Sequence, residues 1–234
     1  MKIFLDAANV KDIKRYKNDI EIKGFTTNPS LMAKSKINNY EIFAKLNSKI
    51  VYPKPISFEV ISDDLNQMYL EAKKINSLGK NVYVKIPVIN TKGVSTIKII
   101  KKLCQEKIKL NITAIFTNQQ INILYKNLIK FNNKIILSIF CGRIADTGID
   151  PKIIVNKTIS IFKRKKNINI LWASTREVFN LYEAKKIKCN IITVTPDIFS
   201  KYKKFKNYNL ELYSKNTVNS FYQDAQKSKL KILT

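Results

Sequence analysis

Eight short apolar runs recur along this chain, separated by segments of helical spacing. The runs are Lys2–Asp6, Ile22–Thr26, Ile56–Val60, Val82–Lys85, Leu110–Thr113, Ile135–Ser138, Ile168–Ala173 and Asn190–Val194. Each is the length of a buried strand and is bounded by turn residues. The predicted helices are Asn9 to Tyr16, Asp63 to Leu78, Gly93 to Gln105, Gln119 to Leu128, Pro151 to Phe162 and a segment through Ala184. Asp63 to Leu78 puts Leu65, Met68, Tyr69, Ala72 and Ile75 on one face, with Gly79 as its stop. Pro151 opens its helix in the favoured first turn, and Ser174 or Thr175 is expected to cap the segment through Ala184. Strand and helix alternating in this way imply a parallel sheet, because each crossover carries its helix back over the sheet. In 234 residues, eight such units make a compact (β/α)8 TIM barrel, expected to be a single α/β domain over residues 1–234. An open doubly wound sheet is the alternative. It lacks support, because no glycine-rich first turn is present among the five glycines.

Polar residues interrupt these runs near their carboxyl ends: Asp6, Thr26 to Asn28, Glu59, Lys85, Asn111 with Thr113, Ser138, Ser174, and Thr193 with Thr195. In a barrel those positions meet at one mouth, where such folds carry their sites. Lys85 stands out, flanked by Val82-Tyr83-Val84 and Ile86-Pro87-Val88. Burial with these neighbours disfavours the ammonium and makes a nucleophile able to condense with a carbonyl. The other reading is a strand-end lysine whose head reaches solvent.

Composition removes several classes. With no histidine, serine–histidine triads and most metal sites are excluded. Cys104, Cys141 and Cys189 are odd in number and far apart, matching neither a zinc site nor a disulfide framework. No run is long enough for a membrane span or signal peptide, so a reduced, cytoplasmic protein that uses no metal and no membrane is expected. The net charge of +26 raises a nucleic-acid partner as a rival, but it comes from lysines in nearly every helical segment and no recognition motif accompanies it. No nucleic-acid partner is expected, although the field attracts phosphorylated metabolites.

The motifs Phe4-Leu5-Asp6, Gly24-Phe25-Thr26-Thr27-Asn28-Pro29-Ser30, Val84-Lys85-Ile86-Pro87, Leu110 to Phe116, Ser138 to Ile144 and Ala173-Ser174-Thr175-Arg176 follow one another along the chain. In that order they resemble the transaldolases, in particular the small branch that includes fructose-6-phosphate aldolase. The resemblance covers essentially the whole chain. It implies a barrel fold and Schiff-base chemistry without cofactor or metal. Lys85 is similar to the lysine that attacks a ketose C2 carbonyl, and Asp6 to the acid/base acting on the C4 hydroxyl. Glu59 and Thr113 resemble the pair that holds a catalytic water. Asn28 and Asn111 match residues that bind the dihydroxyacetone hydroxyls, beside Thr27, Ser138 and Ser174. Arg143 and Arg176 match the phosphate ligands.

Composition adds independent weight to the arginines. Only four of 43 basic residues are arginine, and two lie at these positions, where a planar fork suits phosphate oxygens. Alternatives stay open: an ion pair of Arg143 with Asp146, a helix-end role for Arg176, a cap by Asp6, an exposed strand-end Glu59 and a turn role for Asn28. Trp172 reads as a core or rim aromatic.

Glu59 and Phe140 stand where transaldolases resemble this chain, whereas the aldolases of the branch carry glutamine and tyrosine. That favours transfer of dihydroxyacetone between sugar phosphates over its release. The reaction implied converts sedoheptulose 7-phosphate and glyceraldehyde 3-phosphate to erythrose 4-phosphate and fructose 6-phosphate, a step of the pentose phosphate pathway. The rival readings are an aldolase-like lyase, an inactive sugar-phosphate-binding homologue and a basic nucleic-acid-binding protein. Ile139, Thr175, Glu177 and Cys141 depart from the family pattern, which bears on phosphate affinity and acceptor choice. The polar segment of about 217–230 resembles a terminal helix that packs on a neighbouring subunit of a pentamer or decamer.

Overall fold

A computed structural model describes residues 1–229 and residue 232. Its strands are β1 (Lys2–Asp6), β2 (Ile22–Thr26), β3 (Ile56–Glu59), β4 (Val82–Pro87), β5 (Leu110–Ile115), β6 (Ile135–Ile139), β7 (Ile168–Trp172) and β8 (Ile191–Val194). All pair in parallel with their sequence neighbours, and β8 returns to β1, so the sheet closes into a barrel. The expected (β/α)8 fold is therefore the observed one. The helices are α1 (Val10–Tyr16), α2 (Pro29–Lys34), α3 (Tyr40–Val51), α4 (Leu65–Ser77), α5 (Ile97–Gln105), α6 (Asn118–Leu128), α7 (Cys141–Ala145), α8 (Pro151–Phe162), α9 (Phe179–Lys186), α10 (Pro196–Phe205) and α11 (Leu210–Lys227). None among the described residues is long and apolar enough to cross a membrane.

A large apolar core lies between the sheet and its helices, and Trp172 belongs to it. A smaller cluster of Phe4, Ile136, Leu171, Ala173 and Ile191 forms separately. Strand alternation separates the two sets, since successive side chains point to opposite faces. Phe4 depends on Gly24, its cross-strand partner: a Cβ at that glycine would sit 2.5 Å from the Phe4 ring.

Four helices escaped the sequence reading. Helices α2 and α3 fill the β2–β3 connection, capped by the side chains of Asn28 and Asn39. Helix α7 is a short turn after β6, and α10 starts with Pro196 behind Thr195. Helix α5 begins at Ile97, not near Gly93. Residues Asn90 to Val94 close a turn instead, with Gly93 at φ +75° and the Thr96 hydroxyl bonded to the Pro87 carbonyl. Gly79 does follow α4, but its role is steric: an added Cβ would lie 2.9 Å from Ser48 Cβ.

The cap expected at Ser174 or Thr175 is corrected. Helix α9 starts at Phe179 behind Val178, with no side-chain cap. Thr175 instead donates its hydroxyl to the Thr193 carbonyl at 2.6 Å, and Ser174 adopts φ +61°. Helix α11 starts seven residues before Thr217, and its expected end at Leu230 lies outside the described residues. No residue of α11 is buried; Val218, Phe221 and Tyr222 are exposed on this single chain.

Candidate active site

The carboxyl ends of the strands surround a cavity of about 360 Å³. Ten residues expected at the site line it: Asp6, Asn28, Glu59, Lys85, Thr113, Ser138, Phe140, Arg143, Ser174 and Arg176. Register explains why residues so far apart in sequence meet. Glu59 pairs with Lys85 across β3 and β4, Lys85 with Asn111 across β4 and β5, and Asp6 with Thr26 across β1 and β2. Alternation from these positions turns one set of side chains inward.

Lys85 is 6% exposed. Its Nζ lies 2.9 Å from Glu59 Oε2 and donates to the Thr27 carbonyl at 3.1 Å. The buried amine is therefore partnered, which corrects the picture of an ammonium set among apolar neighbours alone. It is also far from the solvent-reaching alternative. Glu59 is itself anchored, because the Tyr40 hydroxyl donates to its carbonyl at 2.6 Å.

Asp6 accepts from the Thr26 hydroxyl at 2.7 Å and from Asn28 Nδ2 at 3.2 Å. Helix α1 is capped by Asn9, so Asp6 is not its cap. Burial raises the Asp6 pKa above the ordinary carboxylate value; the charge of Lys85 and the two hydrogen bonds oppose this, while Glu59 adds to it. A carboxyl held in this balance suits proton transfer in both directions.

Thr113 Oγ1 is buried in the cavity wall and has no hydrogen-bond partner among the described residues. The strand bulges beside it: Ala114 has φ +56°, and the β5–β6 register shifts between Ile112 and Ile115. Such bulges re-aim side chains beside active sites.

Two expected residues stand outside the lining. Asn111 is fully buried beneath it, donating to Ser57 Oγ at 3.0 Å and accepting from the Ser138 hydroxyl at 2.6 Å. It holds Ser138 in place from below. Thr27 turns its hydroxyl to the Ser57 carbonyl and reaches the site through its own carbonyl, which accepts from Lys85. The sequence reading set Thr26 and Thr193 at the mouth but gave them no role in the site; their hydroxyls lie 2.6 Å apart in the wall. Thr26 is the cross-strand partner of Asp6, and Thr193 lies two residues beyond inward Ile191. Period-two alternation carried across the sheet was the signal for both.

The arginines sit at the rim, Arg143 on α7 and Arg176 on the loop before α9, and the two segments touch. Arg176 forms an ion pair with Asp146, so the acid weighed as the partner of Arg143 holds the other arginine. Gly142 makes the segments' approach feasible: an added Cβ would overlap the Ser174 carbonyl oxygen and lie 2.9 Å from Arg176 Cγ. Gly142→Ala is therefore expected to displace Ser174 and Arg176 and to cost roughly 1–3 kcal/mol of stability. Denaturant unfolding should read that loss, and steady-state kinetics should show a raised KM for a phosphorylated donor. An unchanged KM would remove Gly142 from this role. Phe140 lines the cavity against Phe116, ring centroids 5.6 Å apart, and Cys141 is buried and free.

Fold and site together define a (β/α)8 barrel with a lysine–carboxylate pair at its mouth. The family described as transaldolase/fructose-6-phosphate aldolase matches residues 3–232. A probable transaldolase of Nitrosopumilus maritimus is 34% identical over 203 residues, 86% of each chain. One of Methanococcus maripaludis is 33% identical over 202 residues, covering 86% of this chain and 89% of the relative. Among solved structures, 3-hexulose-6-phosphate synthase from Salmonella typhimurium superposes with a TM-score of 0.58 at 11% identity, covering 83% of this chain and 89% of the other; this is a likeness of fold. The chain belongs to the transaldolase/fructose-6-phosphate aldolase family.

Proposed function

We propose that this protein transfers a dihydroxyacetone unit between sugar phosphates through a Schiff base on Lys85. The observation that carries the proposal is the buried Lys85 amine, 2.9 Å from Glu59 in a cavity that Asp6 also lines. Glu59 is placed to take the ammonium proton, leaving an amine that attacks the ketose C2 carbonyl. The carbinolamine loses water and becomes an iminium. The Asp6 carboxylate then takes the C4 hydroxyl proton as the C3–C4 bond breaks. The bond's electron pair passes to the iminium, giving an enamine and a free aldehyde. C3 of the enamine attacks the acceptor aldehyde, Asp6 returns the proton, and water hydrolyses the new iminium to release the ketose. The unpartnered Thr113 hydroxyl, with Glu59, suits the handling of that water. Asn28, Ser138 and Ser174 supply polar contacts for the dihydroxyacetone unit, and Arg143 and Arg176 supply charge at the rim for the phosphate.

Transfer is preferred to release because Phe140 brings no hydroxyl into the cavity to position water near the enamine. The relatives named probable transaldolase support the same choice. With fructose 6-phosphate alone, free dihydroxyacetone is expected to stay low. Adding erythrose 4-phosphate should yield sedoheptulose 7-phosphate, measured by chromatography of the sugar phosphates. Rapid dihydroxyacetone release without acceptor would instead establish the lyase.

A further inference from the structure

The amino-terminal face of the barrel, opposite the Lys85 mouth, carries its charge unevenly. The turns leading into β4, β5, β6 and β7 span residues 79–81, 106–109, 129–134 and 163–167. They contain nine lysines and arginines and one acid, Glu106, which is already ion-paired with Lys73. In the turn before β2, by contrast, Asp19 and Glu21 pair with Lys203 and Lys206.

Within the basic sector lies a cleft of about 550 Å³, between the α5–β5 and α6–β6 turns. Lys107, Lys109, Lys130 and Lys134 line it, with the amides of Asn132 and Gln105 and no carboxylate. None of the four lysines forms an ion pair among the described residues. The Lys109 ammonium donates to the Lys80 carbonyl. Its pKa is lowered by burial and further by the charge of Lys134, which lines the same cleft. Lys165, outside the lining, donates to Asn132 Oδ1 at 3.5 Å. Like charges held on a concave wall repel at a short distance, and a bound anion relieves that repulsion. One phosphate monoester would neutralise only about half of four ammonium groups, whereas a di- or triphosphate matches them more closely. The concave wall suits a compact anion.

We propose that this cleft is a second anion site, which binds a small molecule carrying two or more linked phosphate groups. It is separate from the phosphate-binding role proposed for Arg143 and Arg176.

The test is calorimetric titration of the intact chain with inorganic tripolyphosphate. Arg143→Gln/Arg176→Gln, which disables the mouth, is expected to retain saturable binding of one anion per chain. Lys109→Gln/Lys134→Gln is expected to weaken that binding at least about tenfold, and added salt to weaken it in the first variant. Thermal melting checks that each variant is folded. Lys107→Gln/Lys130→Gln, on exposed turns, provides a second pair that should act in the same direction. Three results would overturn the proposal: binding lost with the mouth arginines but kept without the cleft lysines; no saturable binding in any form; or single-stranded RNA binding through these lysines far more tightly than tripolyphosphate.

Discussion

Replacing Lys85 with methionine is expected to abolish covalent trapping and to reduce transfer by on the order of 10⁴-fold or more, as loss of a covalent nucleophile does in other enzymes. Borohydride added to the wild-type protein with fructose 6-phosphate should reduce the iminium to a secondary amine. Intact mass and peptide mapping should then place the added mass on Lys85. Methionine nearly preserves the side chain's volume, so the strand between Val84 and Ile86 keeps its packing. Glu59 loses its ion-pair partner at 2.9 Å, but its side chain keeps 17% exposure and thus a route to water. The variant should therefore fold, and circular dichroism checks this. Trapping that persists in the variant, or that maps to another lysine, would falsify the mechanism at its first step.

Asp6→Asn is expected to separate the two halves of the reaction. Asparagine keeps the shape and can still meet Thr26 and Asn28, but it cannot take the C4 hydroxyl proton. Imine formation, and so trapping, should survive, while transfer falls by about 10²–10⁴-fold. Stability should move the other way. Burial raises the pKa of Asp6 in the folded protein above the ordinary value of 3.8, so the folded state holds this proton more tightly than the unfolded chain does. Through the window between those two values, folding takes up a proton and stability falls as pH rises. Above the window the ionised carboxylate is a standing cost that asparagine does not carry. Asp6→Asn should accordingly melt no lower than the wild type at neutral pH, with any gain disappearing below about pH 3.8. In the wild type, transfer should rise with pH through a value above 3.8, the sign expected of a base that must be ionised. A variant that retains full transfer, or that melts well below the wild type at neutral pH, would remove Asp6 from this role.

The barrel was legible because its signal is local. Eight apolar runs of strand length, separated by helical spacing, leave few ways to bury themselves other than a parallel sheet. Of the missed helices, α3 and α10 carry side-chain caps that the reading did not use, and the other two are short. Helix α2 has only six residues and α7 only five. Helix α9 was found, but its start was misjudged, because the hydroxyl proposed as its cap is spent on β8. In the site, residues at strand ends were legible because polar groups there have no place in an apolar run. Thr26 and Thr193 also end strands, yet threonine is common in strands and stands out less than a lysine or a carboxylate.

Residue order alone determined the strand count, the mouth and the presence there of one lysine and two carboxylates, because alternation and burial act over a few neighbouring residues; the two arginines were expected there from the resemblance to the family. Tertiary structure decided which charges meet. Parallel register set Glu59 against Lys85, and the close approach permitted by Gly142 brought Arg176 to Asp146 instead of leaving that acid to Arg143. Such pairings depend on distances across strands and loops that are remote in sequence, and those distances exist only once the sheet has closed.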